Sequence, residues 1–196
     1  MNEQKRIPLS DGARYVIESL EAAGYRAYAV GGCVRDALLG STPSDYDVTT
    51  SALPYEVCGV FTADTVIPTG IKHGTVTVLA CGEPIEVTTF RIDGSYTDRR
   101  KPDSVRFCRT LGEDLSRRDF TIGAIAYSER EGIIDPYGGR ADIEKRVIRC
   151  VGDPQARLSE DALRILRALR FSAVLGFSIE PETDKALREL APLLTE

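Results

Sequence analysis

Histidine is nearly absent from this chain of 196 residues: His73 is the only one, so a histidine-based general acid or base has a single candidate. It stands between Lys72 and Gly74 where a strand-like run begins, a position that suits a structural residue. Tryptophan is lacking altogether. Cysteine occurs singly, at Cys33, Cys58, Cys81, Cys108 and Cys150. The odd total and the lack of a C-x-x-C pair fit neither a disulfide framework nor a zinc site, and the thiols read as reduced, mostly buried small hydrophobes. No apolar run reaches the roughly 18 residues a membrane span needs, and the polar start MNEQKRIPLS lacks the apolar centre of a signal peptide. The cytoplasm is the expected compartment, with no membrane partner. Positive charge is not in excess either: 25 lysines and arginines face 30 acids, which argues against nucleic-acid binding over the whole surface. The basic residues gather instead at DRRK (98–101), SRRDF (116–120) and RILRALRF (164–171).

What is present is the texture of a globular α/β protein. The stretch SDGARYVIESLEAAGY opens on a Ser-Asp cap, places Ala13, Val16, Ile17 and Leu20 at helical spacing, and stops at Gly24. RAYAVGG reads as a strand ending in two glycines, CVRDALLG as a helix closed by Gly40, and ALPYEVCGVF as another helix. Three strand-like runs follow: HGTVTVLA, PIEVTTFRI and SVRFCRT. RRDF leads into an apolar helix in this reading, and GIIDPYGGRADIEKRVIRCV has a strand, turn, helix, strand pattern. From Ser159 the pattern changes to two long helices, SEDALRILRALRFSAVLGF and EPETDKALRELAPLLTE. The fold class is therefore α/β (α+β), a mixed-sheet domain over 1–150 followed by a helical one over 151–196. Two helices alone bury their apolar faces poorly, so the helical part is expected to continue further.

The chemistry is concentrated in a few places. A strand delivering Gly31 and Gly32 into a helix offers a phosphate seat, because glycines let a ligand approach the backbone closely, and Arg35 can pair with a phosphate oxygen. Asp45 and Asp47, two apart at the mouth of an apolar strand, would lie side by side and repel unless a cation sat between them. Hard oxygen donors at that spacing suit Mg²⁺, which takes one or two carboxylates and fills its shell with phosphates and water. Glu86, on a strand between Ile85 and Val87, is a third carboxylate that needs a partner. Two aspartates and a glutamate on neighbouring strands would form a metal clamp of the kind that activates a hydroxyl and steadies a leaving pyrophosphate. RRDF supplies two guanidinium groups, Arg117 and Arg118, that could hold a triphosphate or the sugar, and Asp119 could accept a hydrogen bond from a ribose hydroxyl.

The helix after Glu160 is the most informative stretch. At 100° per residue Ala162, Ile165, Leu166, Leu169 and Ala173 gather on one side, and Asp161, Arg164, Arg167 and Arg170 step around the other. Asp161 and Arg164, three apart, can reach one planar partner. A carboxylate only accepts and a guanidinium only donates. Cytosine and adenine each show an amine donor beside a ring-nitrogen acceptor on their pairing edge, whereas uracil and guanine show a carbonyl beside a ring N–H. The pair thus matches C and A, and leaves polar groups unpaired against U and G.

The stretches YAVGGCVRDALLG, DYDVTT, PTGIKHGTVTV, IEVTTFR, RRDFTIGAIAY, DPYGGRADI and EDALRILRALRF together resemble the N-terminal part of bacterial class II tRNA nucleotidyltransferases, the CCA-adding enzymes. The resemblance implies a polymerase-β-like nucleotidyltransferase head followed by the start of a helical neck. It implies an enzyme that adds C, C and A to the tRNA 3′ end from CTP and ATP without a template, releasing pyrophosphate. Carried over by position, Asp45 and Asp47 would bind Mg²⁺ with Glu86 as a third carboxylate. Gly32 and Arg35 would contact the phosphates, Arg118 and Asp119 the triphosphate and ribose, and Asp161 with Arg164 the base edge. Arg167 and Arg170 would complete the nucleotide pocket. RIDGSYTDRRKPDSVRF is similar to the family's flexible loop, linked to the switch from CTP to ATP, which favours CCA or A addition over CC addition. The family continues into body and tail domains that grip tRNA, beyond what this chain contains. A bacterial poly(A) polymerase is the nearest rival, but PTGIKHGTVTV stands where such enzymes resemble a GRRF signature. A non-catalytic nucleotide- or RNA-binding regulator is a third reading, opposed by the intact carboxylates.

Overall fold

The computed structural model describes residues 6–62, 64–94, 96 and 104–195. The centre of the loop-like stretch, residues 97–103, and with it the whole DRRK cluster, therefore lies outside the described residues. Ser10 caps the first helix, α1 (Asp11–Ala22), by accepting the Ala13 N–H at 3.1 Å, and Ala13, Val16, Ile17 and Leu20 are all buried, as their spacing requires. Strand β1 (Ala27–Val30) feeds helix α2 (Gly32–Leu38), and after a loop come β2 (Asp47–Thr50) and α3 (Pro54–Val60). Strands β3 (Thr65–Gly70), β4 (Thr75–Ala80) and β5 (Glu83–Thr89) follow, then a two-stranded pair, β6 (Arg91–Asp93) and β7 (Val105–Phe107). Helix α4 (Leu111–Ser116), strands β8 (Ala126–Ser128) and β9 (Gly132–Ile134), helix α5 (Gly139–Lys145) and strand β10 (Val147–Ile148) complete the first part. Helices α6 (Pro154–Glu160), α7 (Leu163–Leu175) and α8 (Pro181–Leu190) follow, with β11 (Ser178–Ile179) between the last two pairing parallel with β10.

The main sheet runs β3-β4-β5-β2-β1-β8-β9, with β2 and β5 parallel and the other neighbours antiparallel, so the expected mixed sheet is present. Its alternation sets the two faces apart. Val48, Val87, Val76, Ile85 and Val78 fall on the face that joins the α1 side chains in the main core, while Asp47, Glu86 and Thr77 fall on the other. β1 is buried on both faces, because Tyr28 and Val30 pack with Phe90, Leu111 and Leu115 in a second, smaller core.

Three sequence expectations change. RRDF does not open a helix: a 3-10 turn (Thr121–Gly123) and strand β8 follow it. A short run buried on all sides has no periodicity that separates a helix from a strand. Strand β3 carries Pro68 and was not anticipated; it lies at the sheet edge, where a missing N–H is tolerated. The long helix after Ser159 is two helices, broken where Asp161 turns extended (φ −141°) and accepts the Leu163 N–H at 2.9 Å. The cysteines are free, but only Cys33 and Cys150 are buried.

The segment DPYGGRADI braces the turn after RRDF. Asp135 accepts the N–H groups of Gly139 and Arg140 at 2.7 and 2.9 Å, starting α5. A Cβ on Gly139 would come within 2.1 Å of the Thr121 carbonyl, so only glycine lets α5 lie this close. Buried Asp142 takes the Thr121 hydroxyl at 2.7 Å and pairs with Arg149.

Candidate active site

Two adjoining cavities open beside the polar face of the sheet. The smaller, about 210 Å³, is walled by Gly31, Gly32, Arg35, Asp47, Arg118, Asp119, Arg167 and Phe171, among others. The larger, about 350 Å³, is walled by Arg91, Asp93, Tyr96, Arg117, Arg118, Asp119, Asp161, Arg164 and Arg167. Arg118, Asp119 and Arg167 belong to both, so the two form one cleft. Of the twelve residues singled out above, those three with Gly31, Gly32, Arg35, Asp47, Asp161 and Arg164 line it.

At one end Asp47 opens β2 in register with Glu86 on β5. Asp47 keeps solvent-accessible area at the cleft, yet protein crowds its carboxyl. That crowding pushes it up to about 6, Glu86 and Asp45 adding to the push while Arg118 opposes it. Asp45 is exposed in the loop before β2, takes the Ser44 hydroxyl at 3.2 Å, and borders a separate groove with Tyr46 and Glu83. Among the described residues no three His, Cys, Asp or Glu side chains converge as a ready-made cage. Asp47, with Glu86 and Asp45 near enough to act on its charge, is nonetheless an oxygen donor set that suits a hard divalent cation sharing its shell with phosphates.

The walls are cationic. Gly31, with φ +76°, caps α2; a Cβ there would stand 3.0 Å from Arg118 Nη1. Its own N–H is spent on the Ile125 carbonyl at 3.1 Å and is not free for a ligand. Arg118 is deep in the wall, and its Nε is buried without a hydrogen-bond partner, an orphaned donor of the kind an anion would satisfy. Arg35 is braced by Asp36 at 2.7 Å, and both it and Arg167 sit over the Phe171 ring, at 5.4 and 5.5 Å from its centroid. Phe171 thus spaces two cleft arginines apart. Asp119 binds Arg167 Nε at 2.6 Å through Oδ2, and its Oδ1 accepts the Phe120 N–H.

At the far end Asp161 and Arg164 both face the larger cavity. Burial pushes the Asp161 carboxyl above its ordinary range, opposed by the Leu163 N–H and by Arg164. Arg164 corrects the expected solvent-facing arginine row: it is only 6 % exposed, whereas Leu166 and Leu169, assigned to the core face, are 49 % and 52 % exposed. The reason is a polar network beneath the cleft. Arg164 donates to Glu160 at 2.6 Å, to the Arg157 carbonyl at 2.8 Å and to the Tyr96 hydroxyl at 3.2 Å. Arg170 is exposed and lines neither cavity. The sequence reading missed Arg91, Asp93 and Tyr96, and carried Arg117 only as the first arginine of RRDF. Only the clustering of charge around β6 and SRRDF signalled them. His73 is exposed, and its carbonyl accepts from Arg91, a structural task.

Residues 27–149 match the family model described as the poly A polymerase head domain. The chain is 55 % identical over 179 residues to the CCA-adding enzyme of Geobacillus thermodenitrificans, covering 91 % of this chain and 44 % of that protein. It is 52 % identical over 184 residues to that of Leuconostoc mesenteroides, covering 94 % and 45 %. Among solved structures it resembles the Bacillus stearothermophilus CCA-adding enzyme in complex with CTP, with a TM-score of 0.86 and 50 % identity over 93 % of this chain and 44 % of that one. It also resembles a tRNA nucleotidyltransferase complexed with a primer tRNA and an incoming ATP analog, with a TM-score of 0.72 and 32 % identity over 91 % and 50 %. The chain spans less than half the length of these curated relatives.

Proposed function

This chain belongs to the family of poly A polymerase head domains, and from that membership we propose that it carries the nucleotide-transfer centre of a CCA-adding tRNA nucleotidyltransferase. In this reading residues 1–150 are the nucleotidyltransferase head and 151–196 the start of a helical neck, acting on the tRNA 3′ end in the cytoplasm. Among the described residues no helix is long and apolar enough to cross a membrane. The observation that carries the proposal is the continuity of the cleft. One pair of cavities joins the Asp47 carboxylate to the donor–acceptor pair Asp161 and Arg164, through a wall of arginines.

The roles follow from position. Arg118, with its unpaired Nε, and Arg35 receive the triphosphate beside Gly31 and Gly32. Asp119 keeps lone pairs for a ribose hydroxyl after binding Arg167. Asp161 accepts from the amine of C or A, and Arg164 donates to the ring nitrogen. Asp45 and Asp47 would hold Mg²⁺ with Glu86 beside them, and the ion would supply positive charge for the attacking 3′-hydroxyl and the leaving pyrophosphate. Arg167 steadies the middle of the cleft between Asp119 and Phe171, and Arg170 contributes only if the nucleotide or RNA extends beyond it.

Incubating the chain with tRNA that lacks its terminal CCA and with labelled nucleotides tests this proposal. The expected product grows with CTP, then ATP, and not with UTP or GTP. Growth by A alone would favour an A-adding enzyme, and unselective growth or none at saturating tRNA would overturn the assignment.

A further inference from the structure

We infer that Asp114 is a positioning residue for the triphosphate, a role that rests on the nucleotide-binding reading above. Asp114 lies on α4, has no solvent exposure, and is itself absent from both cavity walls. A carboxylate so deeply buried needs several donors around it, and the four that surround it come from β2, from β6 and from the end of α4. Its Oδ1 takes Nε and Nη2 of Arg117 at 3.0 and 2.9 Å and the backbone N–H of Arg91 at 3.3 Å. Its Oδ2 takes the Thr49 hydroxyl at 3.1 Å and faces Arg118 Nη2 at 3.7 Å.

Each partner leads to a functional surface. Thr49 shares the polar sheet face with Asp47, two residues earlier on β2. Arg91 opens β6, which leads through Asp93 to Tyr96 at the base end of the cleft. Arg117 and Arg118, three and four residues after Asp114, are neighbours on the cleft wall, and two adjacent guanidinium groups repel unless a charge lies between them. Asp114 supplies that charge from below, while Arg118, which lines the cleft, keeps a buried Nε without a partner. Thr49 fixes the orientation of the carboxylate, so the strand that carries Asp47 and the arginine that meets the phosphates are set in one register.

A positioning role predicts a loss confined to phosphates. The test is calorimetric titration of the 196-residue chain and of Asp114→Asn with CTP and with CMP, both with Mg²⁺. The wild-type chain should prefer the triphosphate, and Asp114→Asn should lose about tenfold of that preference while its CMP affinity stays within about twofold. Thr49→Val keeps every charge and removes only the orienting hydrogen bond. It should lose about threefold, again for the triphosphate alone, and it decides the matter if Asp114→Asn does not fold. Undiminished preference in the folded variants, or equal weakening of CTP and CMP, would overturn the inference and leave the nucleotide-binding reading intact. A wild-type chain that binds no CTP would overturn that reading and the inference with it.

Discussion

Asp47 and Glu86 are register partners across the parallel strands β2 and β5 and carry their carboxylates on the same face of the sheet. Without a cation two such groups repel, and Glu86 adds to the push that burial, the larger cause, gives the Asp47 carboxyl. Relieving that repulsion should therefore stabilise the fold while removing the proposed metal ligand. Asp47→Asn is expected to raise the melting temperature without divalent ions by about 2 °C at neutral pH and to abolish nucleotide transfer. Thermal melts paired with the transfer assay check both halves, and a lower melting temperature would contradict the carboxylate arrangement.

The same shift fixes a pH dependence. The Asp47 carboxyl titrates near 6 in the folded chain and near 3.9 when unfolded. The folded state thus binds the extra proton between those values, and the stability it contributes is present below about 4 and lost as pH rises through about 6. Binding of Mg²⁺ runs the other way, because the ion competes with the proton: affinity should rise between pH 5 and 7 and level off above. Titrations of Mg²⁺ across that range in the wild-type chain and in Asp47→Asn, where the inflection should vanish, measure it.

Asp161→Ala should relax base choice more than it weakens triphosphate binding. The side chain faces the larger cavity, whereas Gly31, Gly32 and Arg35 line only the smaller. Discrimination of CTP over UTP is expected to fall about tenfold, with CTP affinity changing by about threefold or less. Competition binding with the two nucleotides reads the difference; unchanged selectivity would remove Asp161 from base reading.

Gly31→Ala tests the glycine seat. The position has φ +76°, and the added Cβ would meet Arg118 Nη1 at 3.0 Å. The backbone strain costs about 1 kcal/mol of stability. The displaced guanidinium should cost CTP affinity beyond that, which comparing chemical denaturation with CTP binding would separate. A variant that loses stability but binds CTP normally would place the phosphates elsewhere.

Much of this was legible in the sequence where a local rule had no competitor. The face of α1 followed from Ala13, Val16, Ile17 and Leu20, and the mixed sheet from alternating strands such as IEVTT. Nine of the twelve residues chosen for chemistry line one cleft, because each stood out as a charge or glycine at the end of an apolar element. The failures share a cause: long-range polar contacts overrode periodicity. Arg164 is drawn inward by Glu160, by Tyr96 and by the Arg157 carbonyl, contacts invisible to a helical wheel. Nothing in LGEDLS sets Asp114 apart from its neighbour Glu113; only its partners at Thr49, Arg91 and Arg117 distinguish it. Asp45 and Asp47 were expected side by side on one strand, but the strand begins at Asp47 and Asp45 stays in the loop.

The most direct test of the central claim, that this cleft binds nucleotides and selects C and A, is calorimetric titration of the chain with each of the four nucleoside triphosphates in the presence of Mg²⁺. The account predicts binding of CTP and ATP at least about tenfold tighter than of UTP and GTP. Equal affinity for all four, or no binding, would contradict it.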